Sequence, residues 1–523
     1  MIREPETEVV TSRSTRLVHG LSTCLLVILI VLLGSAEQSW ASSVELYGRS
    51  VADAGRAGAG SLLEDGASAV AGNPGALGLA PHDSFRFGYL GGVISLDEVE
   101  GVVPTGDQDL RLPEQALAPH RVAAGLVKTL GPWVRAGVVV DVPIPYIYWH
   151  DTKDPWKPYA VRWQNRFART VAWAGPSVRL PVRGIPGRKG VTEEQAMRGG
   201  LWLGASVSAH PIGRIGIDLA LEGRTVDTGT DVSVILRDVA LSARARFRPH
   251  LGLTFDLGTL VGALSGLRLG VSWANEMRVD IAPIELQIDV AGLGELSSLF
   301  SVVEHIQALV WLGLVDFYDP HRVILGLAWD RPQFAIALDV TWSGWSQLVP
   351  SYGRVLDPEE AGAETFEIVS TVEGLAGTYP VVGGRTISEE HFRDTWDLAL
   401  GFEGRLPERA LPGASRPLAL VLRAGYRYRP AMLRPSSGPS ALLDGDIHSA
   451  AFGVGLSGPN LPLLEGPLRL DGSVQVARIE GMTLPKTQEG LAGLDGLPVA
   501  YSEGASWSGG WSIVGGGEVS FGF

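Results

Sequence analysis

The feature that most constrains this chain is an alternation of apolar with small or polar residues. It has a period of two and recurs in runs of about ten residues. In "QFAIALDVTW", Phe334, Ile336, Leu338, Val340 and Trp342 share one face, and Gln333, Ala335, Ala337, Asp339 and Thr341 the other. In "PLALVLRAGYRY", Leu418, Leu420, Leu422, Tyr426 and Tyr428 alternate with Ala419, Val421, Arg423, Gly425 and Arg427. Val323, Leu325, Leu327 and Trp329 repeat the theme, as do Leu267, Leu269, Val271 and Trp273. Period two is the geometry of a strand with two unlike faces. A soluble sandwich alternates in the same way, so the period alone does not decide between that and a membrane barrel.

Three details decide it. Runs of about ten residues match the length of a tilted membrane-crossing strand. Trp273, Trp329, Trp342, Tyr426 and Tyr428 fall near strand ends on the apolar face, where an aromatic girdle sits at the membrane interface. The chain stops on "GGGEVSFGF", with Val519, Phe521 and Phe523 on one face. Composition agrees: 67 glycines, 33 prolines and only 19% charged residues suit short strands joined by turns. After the N-terminal run there is no uninterrupted stretch of 18 apolar residues, so no helical span is expected. The expected fold is all-β, a transmembrane antiparallel β-barrel, because a closed barrel is the one sheet that satisfies every backbone group in lipid.

The N-terminus reads as an export signal spanning residues 1–41. Arg3, Arg13 and Arg16 precede an apolar run from Leu25 to Leu33, and Ser39-Trp40-Ala41 supplies a small-x-small cleavage site. That run is shorter than a bilayer span. Cys24, the one cysteine, lies early in it rather than at its end, which argues against lipidation, and cleavage after Ala41 leaves no thiol for chemistry. A net charge of −14 argues against a nucleic-acid partner, which needs a basic surface.

The stretch after the signal, "GRAGAGSLLEDGASAVAGNPGALGLA" from Gly55 to Ala80, is too broken by Gly72, Pro74, Gly75 and Gly78 to form a long helix. Its second half, residues 67–80, also lacks the charge of a solvated linker. The stretch as a whole resembles the N-terminal hatch of the FadL/TodX family of outer-membrane transporters for hydrophobic compounds. Arg56, Gly58, Gly60, Asp65, Ala67, Ser68, Ala69, Asn73, Pro74 and Leu77 match that family's pattern. Gly66 stands where a second Asp is usual, Ala71-Gly72 where an aromatic pair is common, and Gly75-Ala76 reverses Ala-Gly. Downstream, "RTVAWAGPSVRLPV" and "GGLWLGASVSAH" are similar to the family's fourth and fifth strands, and "ALDVTWSGWSQL" carries its Trp-x-x-Trp-Ser at Trp342, Trp345 and Ser346. "LRAGYRYRPAML" and "LLDGDIHSAAFGVG" resemble the approach to the last strands.

The resemblance implies a barrel of about fourteen strands with its lumen plugged by the hatch. The divisions it suggests are a hatch over residues 42–83 and a barrel over 84–523, with long outer loops near 292–320 and 351–392. It also implies passive transport of long-chain fatty acids or similar hydrophobic molecules. An outer groove captures the ligand, an inner pocket holds it, and hatch movement releases it, with a gap in the barrel wall as one exit. A channel for aromatic hydrocarbons or other neutral solutes, and a structural or adhesive barrel, are the alternatives. The expected partners are hydrophobic small molecules and outer-membrane lipid, and the expected state is a monomer in the outer membrane. No ligand-binding residue of the family carries over onto this chain.

Residues 295–312, "ELSSLFSVVEHIQALVWL", leave the strand pattern. Leu296, Leu299, Phe300, Val303 and Ile306 (with Val310) fall at helical spacing, which makes them candidates for a capture groove; the alternative is a helix packed on the barrel rim. A carboxylate inside the lumen would need a cation, and by alternation Arg423, Arg427 and Arg268 face away from the apolar side. A luminal ion-pair network with Asp339 and its neighbours is the competing role for the same arginines. Pro143 and Pro145 in "DVPIPYIYW" end a strand, since proline cannot donate to the ladder.

No enzymatic motif stands out, so no catalytic residue, metal ligand or cofactor is expected. Gly453-x-Gly455-x-x-Gly458 fits a dinucleotide pattern, but Pro459-Asn460 follows in place of a helix. There is no Gly-x-Ser-x-Gly and no H-E-x-x-H, and Asp446-x-His448 reads as a turn or strand pair. A barrel phospholipase would need a serine and a histidine meeting on one wall.

Overall fold

The alternating runs form strands whose ladders close on themselves. The computed structural model describes residues 47–64, 66–104, 120–144, 158–163, 170–180, 200–226, 229–259, 262–281, 286–291, 305–310, 314–348, 365–369, 377–380, 392–409, 418–435, 442–458, 467–486 and 499–523. The expected signal peptide, Asp65, Pro145 and the candidate capture residues Leu296, Leu299, Phe300 and Val303 lie outside the described residues.

Fourteen strands make the barrel. They are β1 (Ser84–Leu96), β2 (His120–Gly131), β3 (Val134–Ile144), β4 (Val171–Leu180), β5 (Leu201–Val226), β6 (Gly229–Asp256) and β7 (Leu267–Ala274), then β8 (Arg322–Asp330), β9 (Phe334–Ser343), β10 (Thr395–Arg409), β11 (Leu418–Arg429), β12 (Ile447–Gly458), β13 (Leu468–Ile479) and β14 (Gly510–Gly522). Each pairs antiparallel with the next, and β1 closes on β14 over thirteen residue pairs from Ser84↔Gly522 to Leu96↔Gly510. Closure leaves no unpaired edge facing lipid. Pro143 pairs with Arg121 one residue before β3 ends at Ile144.

Residue 523 and the tight turns at 132–133 and 331–333 lie at one end of the barrel, and the links from β7 to β8, β9 to β10 and β13 to β14 leave from the other. Outer-membrane barrels carry short turns on the periplasmic side and long loops outside, which orients the molecule.

The alternation sorts as expected. On β8 and β9, Leu325 and Leu327 are 48% and 42% exposed on the outer surface, while Ala328, Ala335, Ala337 and Asp339 are buried within. Of the girdle residues, Trp329 and Tyr426 are well exposed, and Trp273, Trp342 and Tyr428 are half-exposed. A contiguous apolar exterior is untenable in water and natural in lipid. Among the described residues no helix is long and apolar enough to cross a membrane.

The loop end departs from the expectation. β5 pairs with β4 only as far as Ala209, and the β5–β6 hairpin runs on to Val226↔Gly229. Strand Leu286–Ala291 joins its flank in parallel with Ile217–Glu222; His305–Val310, Thr365–Val369 and Gly377–Pro380 extend that sheet. Ile306 therefore lies on a strand, and the helical spacing over 295–312 does not describe its second half. The register explains this: Ile306 pairs with Ile368, Ala308 with Ile288 and Val310 with Leu286, so alternation across neighbours overrides the weak helical period.

Candidate functional site

The described hatch, residues 47–80 apart from Asp65, fills the lumen. It consists of α1 (Val51–Ala54), α2 (Ala69–Gly72) and a 3₁₀ turn at Pro74–Leu79. All three are too short to be stable alone and depend on the wall around them. Ala59, Val70, Ala76 and Leu77 have no exposed surface.

The wall makes room by placing glycines inward. A side chain at Gly425 would collide with the backbone of Arg56, at Gly204 and Gly252 with Pro74 and Gly75, at Gly270 with Leu62 and at Gly326 with Ser61, and one at Gly401 would press tightly on Arg56 and Ala59. Three of these are direct cross-strand pairs: Gly204↔Gly252, Gly270↔Gly326 and Gly401↔Gly425. Gly453 meets the Cα of Gly55 at 3.1 Å from its virtual Cβ, so this glycine of the dinucleotide-like pattern lies on a wall strand against the hatch.

Polar side chains then fix the hatch in place. Arg56 bonds Glu403 of β10 at 2.9 Å and Glu64 at 3.3 Å. Glu64 also accepts from Ser50 at 2.7 Å and from Ser68. Burial first, then the nearby Asp53 charge, push the Glu64 carboxyl up to about 7, against the pull of Arg56 and Arg86. Ser61 N donates to Asp339 at 2.9 Å. Asn73 caps the 3₁₀ turn by accepting from Gly75 N at 3.0 Å, and its amide donates to Thr254 of β6 at 3.1 Å. Asn73-Pro74 thus does more than turn the chain: it fastens the turn to the wall. Leu77 packs against Gly137, and Gly78 lies under the Trp202 ring.

A cavity of about 90 Å³ opens on the loop side of the hatch, continuous with open space at its mouth. Its floor is Arg49, Gly58 and Gly72, and its walls include Arg248, His250, Arg322, Trp345, Arg427 and Arg429. The two hatch glycines act as cradles. A Cβ on Gly72 would sit 2.5 Å from the Arg49 Nε, and one on Gly58, whose φ is +84°, 2.9 Å from the Arg427 Nη1. On β5 and β6, Ser208 Oγ lies 2.8 Å from His210 Nε2 and 3.0 Å from His250 Nε2.

The three arginines expected to meet a carboxylate are separated by the structure. Only Arg427 lines the cavity, where it bonds Asp397 at 3.0 Å. Arg423 is buried beside the hatch, bonded to Glu403 and Asp471, each at 2.8 Å. Arg268 bonds Asp330 at 2.8 Å and the Leu62 carbonyl at 3.2 Å. Arg49, Arg248, Arg429 and the histidine pair were not singled out from sequence. Strand parity was the available signal: Arg427 and Arg429, Arg248 and His250, and Ser208 and His210 are each two residues apart. Asp446 accepts from Tyr428 and from Ala431 N, and His448 faces Glu480 at 3.2 Å. Among the described residues no group of His, Cys, Asp and Glu is arranged to hold a metal ion.

No family model and no curated protein matches the chain. Among solved structures it is similar to a Pseudomonas aeruginosa FadL homologue, at 14% identity and a TM-score of 0.47 over 91% of this chain and 98% of that one. It is similar also to the CymD monoaromatic hydrocarbon channel, at 15% identity and a TM-score of 0.43 over 91% and 98%. A third is the P. putida toluene transporter TodX, at 14% and 0.42 over 91% and 99%.

Proposed function

We propose that this protein is an outer-membrane passage for hydrophobic molecules that carry a polar head, with long-chain fatty acids or similar amphiphiles as the cargo. One observation carries the reading: the described hatch is buried inside the lumen, and directly above it lies an arginine-lined cavity. An apolar solute gains nothing from an aqueous path. A polar head gains from guanidinium groups in a partly desolvated cavity. No residue set for an energy-coupled step is part of the reading, so passage is downhill and drawn by consumption inside the cell.

A neutral-solute channel is the second reading. It is favoured by the ion pairs that already occupy Arg423, Arg268 and Arg427. Uptake of labelled long-chain fatty acid by a transporter-deficient Gram-negative strain separates the two. Saturable uptake that requires this chain supports the first reading. No uptake by a barrel proven folded through its heat-dependent gel shift removes the fatty acid, and the same assay with labelled toluene then tests the channel.

A further inference from the structure

The outside of the barrel carries a row of side chains that the passage function does not use. At the loop end of β11–β14, Tyr428 pairs with His448, His448 with Arg478, and Arg478 with Trp511. All four share the outward parity of Tyr426, Ala450, Val476 and Ile513, which lie two positions nearer the middle of each strand and are exposed. The row spans three strand spacings, about 14 Å.

Arg478 is its centre. The guanidinium lies over the Trp511 ring, 5.2 Å from the centroid, and donates to the carbonyls of Gly510 at 3.2 Å and Ser508 at 3.0 Å. These contacts hold it in place without supplying negative charge. Among the described residues no carboxylate pairs with it. A guanidinium has five N–H groups in a planar fork, so donors remain for oxygens outside the protein. The neighbouring groups serve one another. His448 faces Glu480 through Nε2 at 3.2 Å, and its Nδ1 accepts from the Tyr426 hydroxyl at 2.6 Å. Asp446 accepts from Tyr428 and from Ala431 N. Both rim carboxylates therefore have partners of their own, and Arg478 is left as the cation open to a ligand.

Below the row the surface is apolar. Ala450, Val476 and Ile513 form the next tier, and Phe452, Val474 and Gly515 the one after it. The small residues Ala450 and Gly515 leave hollows between Phe452, Val476 and Ile513, all of which project from the wall. A cation at the depth of the aromatic belt, with apolar tiers beneath it, complements an anionic lipid lying along the wall. The loop end selects the lipid, because it faces the outer leaflet. In an outer membrane that leaflet is built of phosphorylated glycolipid with several acyl chains. A face four strands wide suits such a molecule better than a two-chained phospholipid.

We propose that this face of β11–β14 binds a phosphorylated, acylated glycolipid of the outer leaflet, with Arg478 on a headgroup phosphate and the chains along the apolar tiers. The contact is a forked, charge-assisted one, and the Trp511 ring keeps the guanidinium in position for it. The site lies on the outside of the wall, so it is independent of any cargo in the lumen.

The test is native mass spectrometry of the folded full chain, released from detergent micelles that hold one added lipid. The probes are diphosphoryl lipid A, the same lipid with its phosphates removed, and phosphatidylglycerol, with inorganic phosphate as a competitor. Diphosphoryl lipid A should bind about tenfold more tightly than either of the other lipids. Arg478→Gln should reduce that preference to about threefold or less. Trp511→Leu should act in the same direction with a smaller effect, and Glu480→Gln should raise the preference by removing a nearby negative charge. Arg331 lies 5.3 Å over the Trp329 ring at the turn end, so Arg331→Gln is the internal control and should change nothing. Each variant is taken only if it keeps the heat-dependent gel shift.

Equal binding of the dephosphorylated lipid overturns the phosphate contact. Phosphatidylglycerol binding as tightly as lipid A overturns the glycolipid, and inorganic phosphate displacing lipid A at equal concentration overturns the lipid. A preference that survives Arg478→Gln, or falls as far with Arg331→Gln, overturns this row as the site. All of these outcomes leave the passage function standing, since uptake tests it separately.

Discussion

Two tiers of the lumen use the same strands and opposite materials. The lower tier is glycine against hatch backbone. The upper tier, two to six residues further along each strand on the same inward parity, is charge around a cavity. Gly425 is followed inward by Arg427 and Arg429, Gly252 is preceded by His250 and Arg248, and Gly326 by Ile324 and Arg322. On β10 the step runs from Gly401 to Asp397. Strand geometry fixes which face is inward, and the choice of residue at each inward step then decides whether the barrel grips its plug or receives a ligand.

The contrast is sharpest if the tiers can be broken separately. The largest effect is expected from Gly425→Leu, whose side chain would occupy the space of the Arg56 backbone. Backbone cannot move aside as a flexible side chain can, so the cost exceeds the ~1–3 kcal/mol usual for overpacking and amounts to loss of the seat. Planar-bilayer recordings should find raised conductance as the hatch is expelled; unchanged conductance would mean that the seat tolerates bulk. Arg56→Met comes next. It leaves Glu403 and Glu64 without their shared partner, and breaking buried pairs of this kind costs about 3–5 kcal/mol. Part of that is recovered here, because Arg423 and Arg405 still bond Glu403. Limited proteolysis of the hatch should become faster while the barrel's gel shift is kept.

Asn73→Ala removes the cap on the 3₁₀ turn and two bonds to β6, worth about 1–3 kcal/mol together. Amide exchange in residues 74–79 should rise with little change elsewhere. The smallest effect is a pH slope. Glu64 titrates near 4.5 when the hatch is free and near 7 when it is seated, so the seated form holds the proton more tightly. Seating should be strongest below about pH 4.5 and should weaken as pH rises towards and through 7. Glu64→Gln should flatten that slope in the same exchange measurement. A slope that survives the substitution assigns it to another group.

These tiers differ also in how far sequence alone exposes them. The barrel was legible because alternation in Phe334–Ser343 and Leu418–Arg429 reports directly on which side faces lipid. The hatch was legible because Arg56, Gly58, Asn73 and Pro74 occur at local spacing. The cavity was not, since its members come from eight wall strands and the hatch, and only the register brings Arg248, Arg322 and Arg429 to one level. The expected helix failed in its described half for a related reason. Ile306 and Val310 satisfy a helical period within one segment, but their partners Ile368 and Leu286 lie far away in the chain. Pairings of that separation leave no trace in a local window.

The hatch is anchored at points spread around the lumen, through Asn73 to β6, through Arg56 to β10 and through Val51 N to Glu518 of β14, and it precedes every strand in the chain. The ring around it closes between the first strand and the last. A plug bonded at points spread around a tube has no route in once the tube is shut. The assembly order follows: the hatch is present before β14 reaches β1, and the sheet curls around it as a mould. Barrel lacking residues 42–83 should therefore close slowly or not at all in lipid, and adding the hatch as a separate peptide after closure should not reseat it. On that outcome the plug would be a part of how the barrel is built as well as of how it is stopped.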